Sequence, residues 1–157
     1  MITLIAAVNH NMLLGKDNNM PWHVKEDLQF FKQQTLHKHV LMGRKTFESL
    51  PSVLKDRTIY LLTTNKDYQV VASNVHLVFD IDQLIDRFKQ SEDTLMVAGG
   101  GEIYKQMMPH AQTILLSRIN DYQHGDVYFP TIDLAVFKKI KTIEFEQFSV
   151  EEYQRYV

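Results

Sequence analysis

Cysteine is absent from the 157-residue chain, which removes disulfides, thiolate nucleophiles and cysteine-ligated zinc from the available chemistry. A reducing compartment suits such a chain. An excess of one charge is also missing: 17 Lys and Arg against 19 Asp and Glu leave a formal charge of −2. No basic run is long enough to track a phosphate backbone, so nucleic acid is not an expected partner. Long apolar runs are lacking too. Residues 1–8 are apolar but fall well short of the ~20 residues of a membrane span, and they carry neither a basic leader nor a small-residue cleavage site. The expectation is a cytoplasmic protein with no membrane partner. The seven histidines form no set with metal-ligand spacing, and no nucleophile-elbow motif is present, so neither a metal nor hydrolase chemistry is expected.

What is present reads as an ordinary folded domain. The chain is 45% hydrophobic and 23% charged, near the globular average. A chain of this length buries roughly 70% of its extended surface on folding, enough for one core. Apolar runs at 2–8, 40–42, 59–64, 75–79, 95–98 and 113–119 have strand length. Helical patterns lie between several of them, at 25–34 with Leu28 and Phe31 on one face, at 44–50, at 82–89 with Leu84, Ile85 and Phe88, and at 102–108. This alternation predicts parallel strands flanked by helices. Residues 137–157 read instead as two strands joined without a helix, hence antiparallel. The expected fold is α/β: a central, mostly parallel eight-stranded sheet with an antiparallel C-terminal edge and four flanking helices. No linker or repeat divides it, so residues 1–157 are expected to form one domain.

Four groups of residues could carry chemistry. Asp27 is the only acid on the apolar face shared by Val24 and Phe31. Either it serves the positive end of a helix, worth ~0.3–1 kcal/mol, or it lines a pocket where burial raises its pKa. In Met42-Gly43-Arg44-Lys45-Thr46 a strand ends in glycine and a helix starts with two cations and a hydroxyl, an arrangement that attracts phosphate. Leu62-Thr63-Thr64 could complete such a site from a neighbouring strand, although a solvated turn with surface cations fits equally. Three successive glycines, Gly99-Gly100-Gly101, open Glu102-Ile103-Tyr104. They permit close approach of a dinucleotide backbone, or simply form a tight turn, and they do not match the G-x-G-x-x-G fingerprint because Tyr104 stands in the third glycine's place. Arg57 could grip a carboxylate through two parallel hydrogen bonds, or lie solvated on its loop.

The ordered set Leu4-Ile5-Ala6-Ala7, Leu14-Gly15-Lys16, Met20-Pro21-Trp22, Asp27-Leu28, Phe30-Phe31-Lys32, residues 42–49, the three glycines with Tyr104, and Gly125-Asp126 with Phe129-Pro130 resembles bacterial dihydrofolate reductase from residue 1 to about 130. The resemblance implies NADPH-dependent reduction of 7,8-dihydrofolate to 5,6,7,8-tetrahydrofolate, by hydride transfer to C6 and protonation of N5. It implies that Asp27 holds the pteridine at N3 and its 2-amino group, and promotes protonation of N5 through water near Trp22. Leu28, Phe31, Leu50 and Leu54 would wall the pteridine and aminobenzoyl rings, and Arg57 would pair with the α-carboxylate of the glutamate tail. Ile5, Ala7, Ala98 and Tyr104 would surround the pteridine and the nicotinamide. For the cofactor, Arg44 with Thr64 would hold the 2′-phosphate, with Leu62 and Thr63 on the same strand end and Lys45 and Thr46 near the phosphates. Gly43, Gly99, Gly100, Gly101, Glu102 and Ile103 would line the dinucleotide, and the bond between Gly99 and Gly100 would be cis. Leu14 and Gly15 belong to a loop, 9–24, that closes over the nicotinamide. A monomer is expected.

Several residues depart from the family's common pattern. Ala98 is small for its position, Ser117 replaces a frequent threonine beside the acid, and Ser52 stands where an extra arginine is often seen. Glu102 puts a negative charge near phosphates, and the C-terminal hairpin reads as short. A reductase of the same fold acting on a ribityl-pyrimidine would have no need of Asp27, Trp22 and Arg57 together. A non-catalytic nucleotide-binding protein would not need to keep Asp27.

Overall fold

The computed structural model describes residues 1–15, 24–50 and 52–157. Among these residues ten strands form: β1 (Ile2–Val8), β2 (Leu13–Gly15), β3 (His39–Gly43), β4 (Thr58–Leu62), β5 (Val75–Val78), β6 (Leu95–Val97), β7 (Thr113–Ile119), β8 (Val127–Tyr128), β9 (Phe137–Glu144) and β10 (Phe148–Arg155). The helices are α1 (Lys25–Thr35), α2 (Arg44–Glu48), α3 (Ile81–Phe88) and α4 (Gly101–Met107), the last running into a 3-10 turn, Met108–His110. Eight strands make one sheet in the order β5-β4-β3-β6-β1-β7-β10-β9. The first six of these are parallel, and β10 pairs antiparallel with both β7 and β9. The expected main sheet and its antiparallel edge are therefore present.

Continuous apolar strands follow from helices covering both faces. Ile5, Val40, Met42, Ile59, Met96 and Leu115 form a core cluster that includes Phe30 and Phe31 of α1. The alternate residues, among them Leu4, Leu41, Tyr60, Val97 and Leu116, pack with Leu84, Ile85 and Phe88 of α3 and with Ile103 and Met107 of α4. The carboxyl ends of β1, β3, β4 and β6 consequently bring Ala7, Gly43, Leu62 and Ala98 to one edge, where ligands of parallel sheets bind.

Two details correct the sequence-based picture. A separate two-stranded sheet, β2 with β8, adds to the eight strands expected; two or three residues are too few for periodicity to register. In α1, Leu28 is 58% exposed whereas Asp27 and Thr35 are buried. The inward stripe follows 27, 31 and 35, and one residue on from Asp27 the helix has turned by about 100° toward solvent.

The C-terminal strands carry a buried charge cluster. Glu151 accepts from Arg118 Nη2 at 2.8 Å, Lys139 Nζ at 3.2 Å and the Tyr153 hydroxyl at 3.2 Å. Burial alone would raise the Glu151 carboxyl, but hydrogen bonds and charge from Arg118 and Lys139 outweigh it and leave the pKa lowered. A depressed carboxylate contributes stability above its unfolded pKa and loses it as pH falls through the folded value. Glu151→Gln should cost about 1–3 kcal/mol at neutral pH, and the gap should close as the acidic range below the ordinary glutamate pKa is reached, as measured by denaturant unfolding across pH.

Candidate active site

Asp27 lies in the first turn of α1 with 7% of its surface exposed. That burial fits the second of its two readings better than the first, because an acid serving only the helix dipole has no reason to leave water. It faces the point where β1 and β7 pair, Ala7 opposite Ser117. Burial raises its pKa, and a hydrogen bond with the buried Ser117 hydroxyl opposes the rise. The result is a carboxyl that takes up a proton more readily than one in water.

Phe31, one turn on from Asp27 along α1, packs against an apolar cluster. Ile5 belongs to the same cluster as the half-buried Phe31, Leu50, Leu54 and Ala98, so five of the expected ring-walling residues converge. Leu28, expected among them, sits at the exposed rim. Tyr104 donates its hydroxyl to the Ile5 carbonyl at 2.7 Å. Its own pKa is pushed up by burial and then by the charge of Asp27, which keeps the phenol neutral. Trp22 and Lys16 lie outside the described residues, together with the rest of 16–23, half of the loop expected to cover the nicotinamide.

The glycine turn joins this pocket to the strand ends beyond it. Gly99 has a φ of 111°, a region that only glycine enters without strain. Its carbonyl accepts from the Gly43 N–H at 2.9 Å, and Ala98 N–H donates to Leu41 at 2.9 Å, locking the ends of β6 and β3 together. The Gly99–Gly100 peptide is cis. A β-carbon on Gly101 would come within 2.9 Å of Val127 Cγ1 and 3.9 Å of Leu14 Cδ1, so the β2–β8 ribbon packs directly on the turn. Gly15 accepts from Asp126 N–H at 3.4 Å within the same ribbon. Thr46 faces Gly100, with its hydroxyl 3.5 Å from where a β-carbon would stand.

Gly43 of β3 pairs with Leu62 of β4, which sets Arg44 and Lys45 beside Thr63 and Thr64. Here, then, two cations and two hydroxyls share one edge, a donor set chemically suited to phosphate. Thr63 is buried and its hydroxyl accepts from Asn65 N–H at 3.1 Å; Thr64 and Lys45 are exposed. Glu102 is exposed and bonded to Gln106 Nε2 at 3.3 Å.

Arg57 is not a solvated loop cation. It is 8% exposed, with Nε donating to the Lys55 carbonyl at 2.7 Å and Nη1 to the Thr35 hydroxyl at 3.3 Å. Burial lowers its pKa, and Asp56 partly opposes this. Among the described residues no carboxylate lies within ion-pair distance of it, so its buried charge is met only by the Lys55 carbonyl and the Thr35 hydroxyl.

The family model described as dihydrofolate reductase matches residues 1–157. The chain belongs to the dihydrofolate reductase family. It is 35% identical to the dihydrofolate reductase of Mycoplasma genitalium over 158 aligned positions, covering 99% of this chain and 98% of that protein. To the dihydrofolate reductase of Haemophilus influenzae it is 36% identical over 155 positions, 98% of this chain and 92% of the other. Among solved structures, dihydrofolate reductase from Enterococcus faecalis complexed with NADP(H) and RAB-propyl superposes with a TM-score of 0.88 at 30% identity, covering 99% of this chain and 96% of that one. The C-terminal hairpin, where the sequence resemblance is weak, is thus part of the family match.

Sequence reasoning passed over three side chains that shape this family member's pocket. Thr35 holds Arg57, and its spacing of four and eight residues from Phe31 and Asp27 was the available signal. Glu48 pairs with Arg44, and Tyr68 bonds to Glu48 rather than to the arginine. Among the described residues no helix is long and apolar enough to cross a membrane.

Proposed function

We propose that the chain reduces dihydrofolate to tetrahydrofolate with NADPH, and that Asp27 is the group that binds the pteridine and promotes its protonation. The observation that carries this reading is the burial of Asp27 against Ser117, among apolar walls and beside the Gly99 turn. When bound, NADPH supplies the hydride that goes to C6. Asp27 hydrogen-bonds N3 and the 2-amino group and favours the proton at N5, with Trp22 assisting through water. Ile5, Ala7, Phe31, Leu50, Leu54 and Ala98 hold the rings, Leu28 closes the rim, and Tyr104 with the Ile5 carbonyl frames the reacting edge. Such positioning and exclusion of water account for much of the rate gain available to a single-chain pocket.

Arg44 and Thr64 hold the 2′-phosphate in this reading, Lys45, Thr46 and Thr63 lie near the phosphates, and Gly43, Leu62, Gly99, Gly100, Gly101, Glu102 and Ile103 line the dinucleotide with Leu14 and Gly15. The walls come from residues 5 to 117 of one chain, which supports a monomer acting as one domain. Absence of cysteine supports a cytoplasmic setting. Loss of the reduced-nicotinamide absorbance when NADPH and dihydrofolate are mixed with the protein tests the reading. Tight NADPH binding with no consumption would favour a non-catalytic binding protein instead.

Arg57→Lys should raise KM for dihydrofolate about 10–100-fold with little change in kcat, because a two-pronged charged hydrogen bond is replaced by a point charge. A dihydropterin lacking the glutamate tail should show no such difference. Equal losses on both substrates would show that Arg57 supports the pocket rather than the tail.

A further inference from the structure

Arg44 is not free to meet an anion unopposed. Its Nη1 lies 2.9 Å from Glu48 Oε1, and the Tyr68 hydroxyl donates to the other oxygen, Oε2, at 2.8 Å. Both oxygens of Glu48 are therefore committed, and the hydrogen bond to Glu48 raises the Tyr68 pKa. Tyr68 reaches Glu48 from the loop after β4. That loop is folded by Tyr68 N–H donating to the Asn65 carbonyl at 3.1 Å and Asn65 N–H to the Thr63 hydroxyl at 3.1 Å. The triad thus joins the two strand ends that carry the cations and hydroxyls described above.

Stability does not explain this arrangement. α2 spans only five residues, Arg44–Glu48, with Lys45 already in its last turn, so its two ends are about one turn apart and its dipole gives this pair no appreciable support. An ion pair ordered cation first, acid four residues later, is also the weaker orientation. The two side chains are 41% and 45% exposed, where such pairs contribute little. Residues that break local rules without a stability gain are candidates for a functional role.

The chemistry of that role follows from charge. A ribose 2′-phosphate asks for a cation, whereas an unmodified 2′-hydroxyl asks for an acceptor such as a carboxylate. This edge offers both in one bonded pair. We propose that Glu48, anchored by Tyr68, holds down the preference for NADPH over NADH, so that NADH binds and donates hydride at the same site. The carboxylate repels a 2′-phosphate drawn to Arg44 and accepts from a 2′-hydroxyl. The step itself is unchanged: hydride leaves C4 of NADH for C6 of dihydrofolate, N5 gains a proton, and NAD+ departs. The inference rests on the reading that Arg44 and Thr64 receive the adenosine end of the cofactor.

The test is the ratio of dissociation constants for NADPH and NADH, measured by calorimetry on the full chain without substrate, for wild type, Glu48→Gln and Tyr68→Phe. Thermal unfolding of each variant serves as the control for folding. Removing the carboxylate's charge while keeping its shape should raise the preference for NADPH at least about tenfold, because it relieves a like-charge repulsion near the protein surface. Tyr68→Phe should shift the ratio the same way by less. A ratio that is unchanged or falls in Glu48→Gln would overturn the proposal and leave Glu48 as a prop for Arg44. Wild type that binds neither nucleotide would instead remove the functional reading itself.

Discussion

Asp27→Asn is expected to lower turnover of dihydrofolate at neutral pH by about 10²–10⁴-fold, the usual contribution of a positioned acid or base, while leaving NADPH affinity and the fold intact. The amide keeps the shape of the carboxyl but cannot carry its charge or its proton. Stability should move in the opposite direction from activity. The folded-state pKa of Asp27 is raised by burial, so the folded state binds its proton more tightly than the unfolded chain. Wild type therefore loses stability as pH rises from the ordinary aspartate value through the raised one. The variant has no such loss, and should be at least as stable as wild type at neutral pH, with the advantage shrinking in acid. Turnover and denaturant unfolding measured across pH on both proteins check the two halves together. Unaltered turnover at every pH would mean that the proton role is misassigned.

Gly99→Ala is expected to have the largest effect on stability. Its φ of 111° is closed to residues with a β-carbon, and that carbon would lie 3.2 Å from both Cε2 and the hydroxyl oxygen of the buried Tyr104. Backbone strain of ~1–3 kcal/mol and crowding of similar size should add, lowering the unfolding midpoint by roughly 5–15 °C. Relief by moving Tyr104 would break its 2.7 Å bond to the Ile5 carbonyl, so NADPH affinity should fall at least about tenfold. Gly100→Ala is the contrast. There the β-carbon would meet only the Thr46 hydroxyl at 3.5 Å, and φ is −85°, so stability should change by less than about 1 kcal/mol. Equal destabilisation by the two substitutions, in thermal scans, would contradict the conformational argument.

Much of this molecule was legible in its residues because burial on both faces leaves a plain mark. The runs that became β1, β3, β4 and β6 are apolar with little alternation, as strands covered by helices must be. The turn from Gly99 to Gly101 was legible for a different reason: a run of glycines stands out in sequence, and at Gly99, with its positive φ, and Gly101, against Val127, a β-carbon does not fit. Asp27 stood out as the one acid on its stripe, but whether that stripe faced a pocket depended on β1 and β7, which approach it only in the folded chain. Leu28 was grouped with Phe31 on one helix face, but it is exposed, one residue on from the inward stripe set by Asp27, Phe31 and Thr35. The β2–β8 ribbon left no signal, since pairing between residues 13–15 and 127–128 is a tertiary event. Arg57 was ambiguous for the same reason. Its burial depends on Thr35, 22 positions away, and a loop arginine looks solvated until that partner is known.

The most direct test of the account follows the hydride. With NADPH carrying deuterium on the transferred face of C4, wild type should form tetrahydrofolate bearing the label at C6, readable by mass and by NMR, and Asp27→Asn should place it on the same carbon far more slowly. Label appearing elsewhere, or product formed at equal rates by the two proteins, would contradict the claim that a buried carboxyl at position 27 prepares the ring to accept it.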